Sequence, residues 1–446
     1  MLKTFPKGGV HPPENKLTAN KKIVNIELPK QVAILLNQNL GAPSKAIVKA
    51  GDKVKVGQKI AEAGGFVSAN IHSSVSGTVL KIDKVPDASG YKRDAIIINV
   101  EGDDWDVSID KTDDLKTEIL LSSEQIIDKI QQMGIVGLGG ATFPTHVKLK
   151  IPQGHKAEYL IINAVECEPY LTSDHQLMLE KPEKIIVGTK ILMKALNVNK
   201  AYIGIENNKP DSIKLLKEKL AAQNDQTIEV VALKVKYPQG GEKQLIKAIT
   251  GREVPSGGLP IYVGCVVQNV GTAFAVYQAV QHNKPLFERV VTLTGTNVPN
   301  AGNYLLRIGT PINHFIEQTG GMPENIQKIV NGGPMMGKAV YDNSMPVTKG
   351  TSGILYFDNL ISKRKISQPC IRCAKCVNVC PQGLEPYQLM NFAERKQWEE
   401  AEINHNLDCI ECGSCSYICP ASRPLLDYIR LGKQNVAAII KARTVK

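Results

Sequence analysis

The sequence has few aromatic residues, and it lacks the features of an exported chain. Aromatic side chains make up only 5% of the 446 residues, whereas glycine and proline together number 62, from 37 and 25. This composition favours a loop-rich fold with β-structure over a helical bundle. Residues 1–22 contain no apolar core of a secretory signal peptide, so we expect the protein to stay in the cytoplasm.

Long apolar runs are also scarce, and only one segment needs to be weighed as a membrane span. Residues 254–283 contain no Asp, Glu, Lys or Arg. Pro255, Gly258, Pro260 and Asn269 interrupt the segment, and in lipid they would leave polar groups without hydrogen-bond partners. We therefore predict a buried segment of a soluble domain, and expect any association with membranes to be peripheral.

Acidic residues are the scarcer charge, with 43 Asp and Glu against 54 Lys and Arg, a formal net charge of +11. A basic surface attracts acidic proteins, anionic membranes and nucleic acid alike, so charge by itself does not identify the partner. One basic run, residues 363–365 (Lys-Arg-Lys), lies before a cysteine-rich region. Such a run is usually a solvated linker, and docking of an acidic partner is the alternative.

The chain is too long for one hydrophobic core, and its local patterns change along its length. We predict a multidomain α+β protein. Its predicted parts are a basic N-terminal arm (1–30), a barrel-sandwich β domain (31–112), an α/β domain (113–286), a β-grasp-like module (287–358), a cysteine-rich domain (359–432) and a C-terminal tail (433–446).

Short β-type runs alternate with glycine turns from about Gln31 to Val100, which is typical of a small all-β unit. Residues 48–58 resemble the opening of biotinyl and lipoyl carrier domains, in which a modified lysine lies on a hairpin a few residues further on. Gly65 stands where that lysine would fall. The resemblance therefore implies a barrel-sandwich scaffold without a prosthetic arm.

The next region alternates predicted helices and strands. An apolar stripe at helical spacing follows Ser122 and Ser123, either of which is a candidate N-cap. The predicted strands span 159–163 and 201–205, and the further predicted helices span 181–196 and 211–222. This alternation indicates an α/β domain. Beyond it, a strand, a short helix and glycine turns suggest a small α+β module.

Eight of the ten cysteines form an internal repeat near the C-terminus. Each of the two motifs, residues 370–381 and 409–420, reads C-x2-C-x2-C-x3-C-P. Three closely spaced thiolates can hold one [4Fe-4S] cluster, while the fourth cysteine, before the proline, reaches the neighbouring cluster. We therefore assign cluster 1 to Cys370, Cys373, Cys376 and Cys419, and cluster 2 to Cys409, Cys412, Cys415 and Cys380. Two four-cysteine zinc sites are the alternative, but they do not require this doubled spacing.

The linker between the two motifs carries apolar residues placed for a helix. These residues are Leu389, Phe392, Ala393 and Trp398. The arrangement resembles the helical dicluster domain of larger respiratory and fumarate-reductase-like proteins. Such a domain transfers electrons one at a time and has no substrate of its own.

A second candidate site is the glycine-rich segment 134–148, G-I-V-G-L-G-G-A-T-F-P-T-H-V-K. Glycines let backbone N–H groups approach a phosphate closely, and a lysine just beyond can neutralise it. The segment follows a predicted helix and is neither a Walker loop nor a complete G-x-G-x-x-G motif. By itself it is equally well explained as a structural turn.

Further motifs accompany this segment: N-A-V-E-C-E-P at 163–169, G-G-E-K at 240–243, V-Q-N-V-G-T at 267–272 and G-T-P at 309–311. In this order they resemble the flavin- and NADH-binding subunit of respiratory complex I. With the doubled cysteine motif and the lysine-free barrel-sandwich, residues 5–432 resemble the RnfC component of Rnf-type ion-translocating ferredoxin:NAD+ oxidoreductases.

The resemblance implies roles for individual residues around FMN and NADH. It places Gly137, Gly139, Gly140 and Lys148 around the FMN phosphate and the nicotinamide nucleotide. Asn163 and Asn269 would hydrogen-bond the isoalloxazine, with Thr272 near the phosphate. Glu166 and Glu242 match family acids and are the candidate catalytic residues. The departures from the family pattern are Val165, Lys243, Gln268 and Gly271, and most of them remove or reverse an acidic contact.

The expected protein is therefore an oxidoreductase subunit on the cytoplasmic face of the bacterial membrane. It would pass electrons between NAD(H) and ferredoxin through non-covalent FMN and two [4Fe-4S] clusters. Its expected partners are integral membrane and ferredoxin-like subunits of the same complex, with no nucleic acid. Two alternatives stay open: a flavin-free dicluster wire or docking subunit, and a soluble NADH dehydrogenase or hydrogenase subunit.

Overall fold

The computed structural model describes residues 2–444. After a short strand β1 (Ile23–Asn25), the barrel-sandwich domain comprises β2 (Gln31–Leu35), β3 (Lys45–Ala46), β4 (Lys53–Val54), β5 (Lys59–Glu62), β6 (Ile71–His72), β7 (Ser76–Pro86) and β8 (Lys92–Gly102). Two sheets, ordered β2-β8-β7-β4 and β3-β5-β6, enclose one core. Alternate residues of β2 and β8, such as Val32 and Ile96, point into that core because successive strand side chains face opposite sides.

The α/β domain alternates helices with parallel strands. It comprises α1 (Ser123–Gln132), α2 (Thr145–Leu149), β9 (Tyr159–Asn163), α3 (Ser173–Glu180), α4 (Pro182–Leu196), β10 (Lys200–Glu206), α5 (Pro210–Ala222), β11 (Ile228–Leu233), α6 (Glu242–Thr250), β12 (Cys265–Asn269) and α7 (Val270–Gln281). Ser122 is the N-cap of α1 and forms a capping box with Gln125, since Ser and Gln satisfy two otherwise free backbone N–H groups. The predicted strands and helices are confirmed, with ends that differ by one residue at most.

The sheet of this domain is parallel, in the order β11-β10-β9-β12, and it is covered on both faces. Leu160 and Ile162 pack into a core with α4 and α7, whereas Ile161 packs on the other face with α6. Residues 254–283 contribute the buried strand β12 and the helix α7 to this domain. Within residues 2–444 no helix is long and apolar enough to cross a membrane.

The third domain is a mixed sheet with one helix. It comprises β13 (Glu288–Gly295), β14 (Gly302–Arg307), α8 (Ile312–Gln318), β15 (Ile326–Asn331), β16 (Lys338–Ala339) and β17 (Gly353–Asp358). The sheet order is β1-β14-β13-β17-β15-β16. Because β1 pairs in parallel with β14, residues 23–25 of the predicted N-terminal arm form an edge strand of this domain.

The cysteine-rich domain is helical. It comprises α9 (Asn359–Ser362), α10 (Lys375–Asn378), α11 (Pro386–Glu394), α12 (Trp398–Ile403), α13 (Ser414–Ile418) and α14 (Leu425–Thr444). The linker contains two helices rather than one, because Lys396 adopts a left-handed conformation with φ of 57° and ends the first. Trp398 therefore begins α12. Helix α14 runs across residue 433, where we predicted a separate tail.

The N-terminal segment connects the α/β domain to the cysteine-rich domain. Lys3 pairs with Leu233 at the end of β11, and Val10 exchanges two backbone hydrogen bonds with Tyr237. Between them, the Gly9 N–H donates to the Val379 carbonyl over 2.9 Å. The predicted basic arm is thus an ordered bridge between two domains, which charge alone did not indicate.

Gly8 is the point at which this bridge touches the cysteine-rich domain. Its φ is +68°, and a Cβ atom built on it would lie 2.6 Å from the carbonyl carbon and oxygen of Cys380. A side chain at this position must therefore push the two backbones apart.

We expect Gly8→Val to destabilise the protein by about 1–3 kcal/mol more than Gly51→Val, because both changes strain the backbone but only the first overpacks a contact. Gly51 has φ of +90° and open space around the added Cβ, so it is the matched control. Chemical denaturation followed by circular dichroism measures the difference. Equal destabilisation by the two variants would show that the contact of Gly8 with Cys380 contributes nothing.

Candidate functional site

The residues of the predicted nucleotide site meet at the carboxyl ends of two neighbouring parallel strands. Asn163 ends β9 and Asn269 ends β12, and the two residues are direct partners in the sheet register. The carboxyl edge of an open parallel sheet is where such folds bind ligands, because the loops there leave a crevice. The tertiary structure therefore brings together motifs that lie about a hundred residues apart in the chain.

The glycine-rich segment forms a loop that folds over this edge. The Gly137 N–H donates to the Phe143 carbonyl over 2.9 Å, which closes the loop. Gly139 lies against Asn269, since an added Cβ would be 3.0 Å from its Nδ2, whereas Gly140 faces open space. Gly137 therefore shapes the loop, Gly139 packs against Asn269, and Gly140 lies on the open side of the loop.

Asn269 and Thr272 hold the loop to helix α7. Asn269 is the N-cap of α7, and its Oδ1 accepts from the N–H groups of Gly271 and Thr272. The Thr272 side chain is fully buried, and its hydroxyl accepts from the Leu138 N–H over 2.9 Å. Both residues thus anchor the predicted site from below, in addition to the ligand contacts that the family resemblance implies.

Lys148 and Glu242 form an ion pair at the mouth of the site. The distance from Lys148 Nζ to Glu242 Oε1 is 2.6 Å, and both side chains are about one-third exposed. Lys148 also donates to the Val267 carbonyl over 3.2 Å. Glu242 is the first residue of α6, where a negative charge is favoured by the helix dipole. The pair therefore connects the end of the glycine loop to the G-G-E-K motif.

Asn163 and Glu166 organise the loop after β9. Asn163 Nδ2 donates to the Gly240 carbonyl over 2.8 Å, which fixes the position of the G-G-E-K motif. Glu166 has a left-handed backbone with φ of 47°, and its carboxylate accepts from the N–H groups of Asp174 and His175 at the start of α3. Glu166 is therefore committed to a helix N-terminus, so it positions the site.

Sequence patterns indicated no role for Asp174 and Arg289, which lie behind the site. Asp174 Oδ2 accepts from Asn269 Nδ2 over 2.7 Å and so fixes the orientation of that amide. Burial, and secondarily the charge of Glu166, raises the pKa of Asp174. Arg289 is buried beside it and donates to the Lys349 and Leu138 carbonyls. Neither residue belongs to a recognisable motif, because each acts through tertiary contacts.

Several buried polar atoms near the site have no partner within residues 2–444, which fits a site built for a polar ligand. The atoms in question come from the glycine-rich segment and the V-Q-N-V-G-T motif: Thr145 Oγ1, His146 Nδ1 and Gln268 Nε2. With open space above Gly140 and a lysine at the mouth, the residues present fit a flavin mononucleotide and its phosphate.

The four predicted ligands of cluster 2 are gathered in the interior of the cysteine-rich domain. Burial, and then the charges of Cys409, Cys412 and Cys380, raises the pKa of the Cys415 thiol, so all four side chains lie within electrostatic reach of one another. Leu389 and Ile429 are among the apolar residues that line the same pocket. The last cysteine of the first motif therefore lies beside the second motif, where the predicted crossing requires it.

The four predicted ligands of cluster 1 lie at the surface. Cys370 and Cys373 are exposed, and Cys376 and Cys419 are partly buried. Burial, together with the charge of Cys419, raises the pKa of Cys376. A cysteine of the first motif is again near the last cysteine of the second.

Nowhere in residues 2–444 do three His, Cys, Asp or Glu side chains converge closely enough to hold a single metal ion. A mononuclear zinc site needs four ligands about 2.0–2.3 Å from one point.

Tyr237 connects the α/β domain to the second cysteine motif. Its hydroxyl donates to the Cys412 carbonyl over 2.9 Å, and it lies 3.3 Å from Glu168 Oε1. Glu168 also accepts from the N–H groups of Met335 and Met336 in the third domain. Burial raises the pKa of Glu168 to about 7, because desolvation outweighs its hydrogen bonds. Three domains therefore meet at one buried carboxyl group.

Family models match four successive parts of the chain. The matches are an RnfC barrel sandwich hybrid domain at residues 3–103, a Nuo51 FMN-binding domain at 130–278, an SLBB domain at 290–339 and a 4Fe-4S dicluster domain at 369–422.

Two curated relatives cover almost the whole chain. The chain is 45% identical over 434 residues to the C component of the Na(+)-translocating ferredoxin:NAD(+) oxidoreductase complex of Acetobacterium woodii, covering 97% of both proteins. It is 46% identical over 443 residues to the C component of the proton-translocating complex of Clostridium ljungdahlii, covering 98% of this chain and 95% of that protein. The chain belongs to the RnfC family.

Membership of the RnfC family confirms the predicted relationship to the FMN-binding subunit of complex I and the predicted multidomain fold. The predicted cofactors, FMN and [4Fe-4S] clusters, are confirmed by the FMN-binding and dicluster domains. An RnfC-family chain is thus an electron-transfer subunit of an oxidoreductase complex.

Solved structures share the fold at low sequence identity. An NAD+-reducing [NiFe]-hydrogenase chain in the H2-reduced state superposes with a TM-score of 0.51 at 19% identity, covering 71% of this chain and 63% of that one. The air-oxidised state gives 0.50 at 20% identity, covering 63% and 54%. This chain therefore spans less than two-thirds of either hydrogenase chain, and the likeness concerns the fold alone.

The raised pKa of Glu168 predicts a pH-dependent loss of stability. A carboxyl group whose pKa is higher in the folded state than its ordinary value of 4.5 binds its proton more tightly when folded. Its stabilising effect is therefore complete below pH 4.5 and is lost as the pH rises through about 7. Glu168→Gln removes this titration. As the pH rises from 4.5 through about 7, the thermal unfolding midpoint of the native protein should therefore fall relative to that of the variant.

The exposed residue Glu27 gives the matched control, because Glu27→Gln changes the same charge at the surface. A constant difference in unfolding midpoint between the native protein and Glu168→Gln from acidic to neutral pH would contradict the prediction.

Proposed function

We propose that this protein carries electrons between NAD(H) and the other subunits of a membrane-bound, ion-translocating ferredoxin:NAD+ oxidoreductase complex. The observation that carries the proposal is the direct contact between the α/β domain that holds the flavin-type site and the second cysteine motif, made by Tyr237 and the N-terminal segment. Because the domain of the nucleotide site is in direct contact with the iron–sulfur domain, electrons can pass from one centre to the other. We further propose that the protein is peripheral to the cytoplasmic face of the membrane.

FMN supplies the step that neither neighbour can perform, because it exchanges a hydride with NAD(H) and single electrons with iron–sulfur clusters. The chain's own residues bind and orient it. We propose that the loop carrying Gly139 and Gly140, with Lys148, receives the phosphate. Asn163 and Asn269 lie at the strand ends beneath that loop, where their amides are held for the isoalloxazine by Gly240 and Asp174.

The two candidate acids take different parts in this proposal. Glu242 lies at the mouth of the site beside Lys148, 38% exposed, and can face a bound nucleotide. Glu166 spends its carboxylate on the N-terminus of α3, so we assign it a positioning role. The departures at Lys243 and Gly271 reduce the negative charge around the nucleotide relative to the complex I pattern.

The function is tested with protein reconstituted anaerobically with iron, sulfide and FMN. Stoichiometric FMN released on denaturation, NADH-driven reduction of a one-electron dye, and co-purification with integral membrane subunits are the expected results. Absence of flavin would favour the alternative of a flavin-free dicluster electron-transfer subunit. Absence of membrane partners would favour a soluble dehydrogenase or hydrogenase subunit.

The cysteine assignment predicts which cluster each ligand serves. Reconstituted protein should hold about eight iron and about eight sulfide per chain. Cys380→Ala should impair the cluster of Cys409, Cys412 and Cys415, whereas Cys376→Ala should impair the other cluster. Electron paramagnetic resonance of the reduced protein and iron analysis distinguish the two losses.

Cys265 is buried in the α/β domain outside both motifs, so Cys265→Ala is the control and should keep both clusters. Stoichiometric zinc without sulfide would refute the iron–sulfur assignment. The same spectral loss in the Cys380 and Cys376 variants would refute the crossing of the fourth ligand.

Lys148 should be needed for flavin retention. Lys148→Ala removes a charge-assisted contact to phosphate worth about 1.5–3 kcal/mol, or roughly ten- to a hundredfold in flavin affinity. Visible absorption of the clusters should remain, because their ligands lie in another domain. NADH-driven dye reduction should fall and recover in part with excess FMN.

Lys150 lies two residues further on, is exposed and has only a long 3.4 Å contact with Gln131. Lys150→Ala is therefore the matched control, and it should keep its flavin. If Lys148→Ala retains stoichiometric flavin and full activity, the phosphate role of the loop is withdrawn.

A further inference from the structure

The two cysteine motifs share one backbone conformation but differ in their surroundings. In the first motif Arg372 and Ala374 have left-handed φ values of 55°, and in the second Glu411 and Gly413 have 57° and 77° at the equivalent positions. The two loops are thus built alike, since left-handed residues recur at the same places in the C-x2-C-x2-C repeat. A difference in exposure between the two loops therefore arises from the residues that pack against each loop.

The second motif is covered on its outer side by the rest of the protein. Glu411 pairs with Arg430 and Lys433 of α14 at 2.9 and 2.7 Å. A Cβ on Gly413 would lie 2.9 Å from the Met335 carbonyl. Together with the bond from Tyr237 to Cys412, these contacts exclude a partner protein from cluster 2.

The first motif carries no such cover within residues 2–444. Every residue from Lys363 to Lys375 is exposed, including Cys370 and Cys373. Arg372 occupies the place of Glu411, so the acidic residue that binds α14 in one motif is replaced by an exposed base in the other. Cluster 1 is therefore the centre that an external electron carrier can reach.

The exposed segment is basic and also carries large apolar side chains. Between Asp358 and Glu385 the chain contains no acidic residue and five basic ones, Lys363, Arg364, Lys365, Arg372 and Lys375. Arg364 pairs with Asp427, while the other four form no ion pair with the described part of the chain. Large apolar side chains accompany them: Leu360 is 92% exposed, Ile366 83% and Ile371 67%.

We propose that this surface, residues 360–375 with cluster 1 beneath it, is the docking face for an acidic iron–sulfur subunit of the same complex. The inference rests on the proposed function. Exposed apolar residues interspersed with charged ones are typical of a protein interface. Uncompensated positive charge selects an acidic partner surface and speeds its encounter. A nucleic acid or lipid partner would have no use for an exposed redox centre.

The test uses the full-length protein expressed with its membrane subunits. Lys363→Glu/Lys365→Glu reverses two charges on the docking face and leaves every cysteine and the Arg364–Asp427 pair untouched. Retention of the chain in the detergent-solubilised complex should fall, with binding at low salt weakened at least about tenfold. NADH-driven reduction of a small dye by the isolated variant, and its iron and FMN content, should stay as in the native protein.

Lys45→Glu/Lys49→Glu makes the same change of charge on the barrel-sandwich domain, where both lysines are exposed and unpaired within residues 2–444, and should keep full retention. Ile366→Asp tests the contribution of an exposed apolar side chain of this segment and should also release the chain. Full retention of the Lys363/Lys365 variant, or equal release of the Lys45/Lys49 control, would overturn the proposal.

Vesicles containing phosphatidylglycerol distinguish a lipid occupant. If charge reversal abolishes binding to these vesicles while the chain stays in the complex, the face binds membrane and the proposal is wrong. If the native protein does not reduce the dye with NADH, the proposed function is refuted. This outcome differs from a failure of the docking proposal, in which dye reduction is normal and the charge-reversed variant stays in the complex.

Discussion

The rest of the structure depends on the fixed attachment of the second cysteine motif to the α/β domain. Tyr237 spans the boundary, with its backbone paired to Val10 and its hydroxyl on the Cys412 carbonyl. Lys16, half-buried nearby, donates to three carbonyls, including those of Glu166 and Glu168. Because these hydrogen bonds join buried and half-buried groups, a relative shift of the domains would leave several polar atoms unpaired, which is costly. A pair of redox centres needs such a constant separation.

This attachment makes the two halves of the cysteine repeat unequal. Their sequences are alike, and each is predicted to supply three ligands to one cluster and a fourth to the other. Contacts with Met335, Tyr237 and α14 bury one half, whereas the other half stays at the surface, where its lysine forms no ion pair with the part of the chain that the structure describes. The chain is therefore asymmetric: its second cysteine motif is covered by the rest of the protein, and the first motif faces outward. The proposed electron path between NAD(H) and another subunit follows this order.

Many residues of the nucleotide site hold neighbouring loops and side chains in position. The resemblance placed Asn163, Asn269 and Thr272 around a flavin, and their side chains also fasten the surrounding loops. Asp174 lies one layer further out, where burial raises its pKa and its carboxylate orients Asn269. A lysine at the mouth meets Glu242. The amides are held in place and the charge of the lysine is balanced by Glu242, so such a pocket can bind a charged ligand without rearranging its side chains.

The sequence by itself determined the domain order, two of the four strands of the α/β domain and the cysteine spacing, because hydrophobic periodicity and ligand spacing are local properties of the chain. It also indicated the helix that begins after Ser122, whose capping box lies within four residues. Only the tertiary structure decided the N-terminal bridge, the division of the linker at Lys396, and the roles of Asp174 and Tyr237. The bridge and the roles of Asp174 and Tyr237 rest on contacts between residues far apart in sequence, and no local pattern records which distant backbone a side chain will meet. The exposure of the first cysteine motif was decided in the same way, because the two motifs share their cysteine spacing and differ in the residues that pack against them.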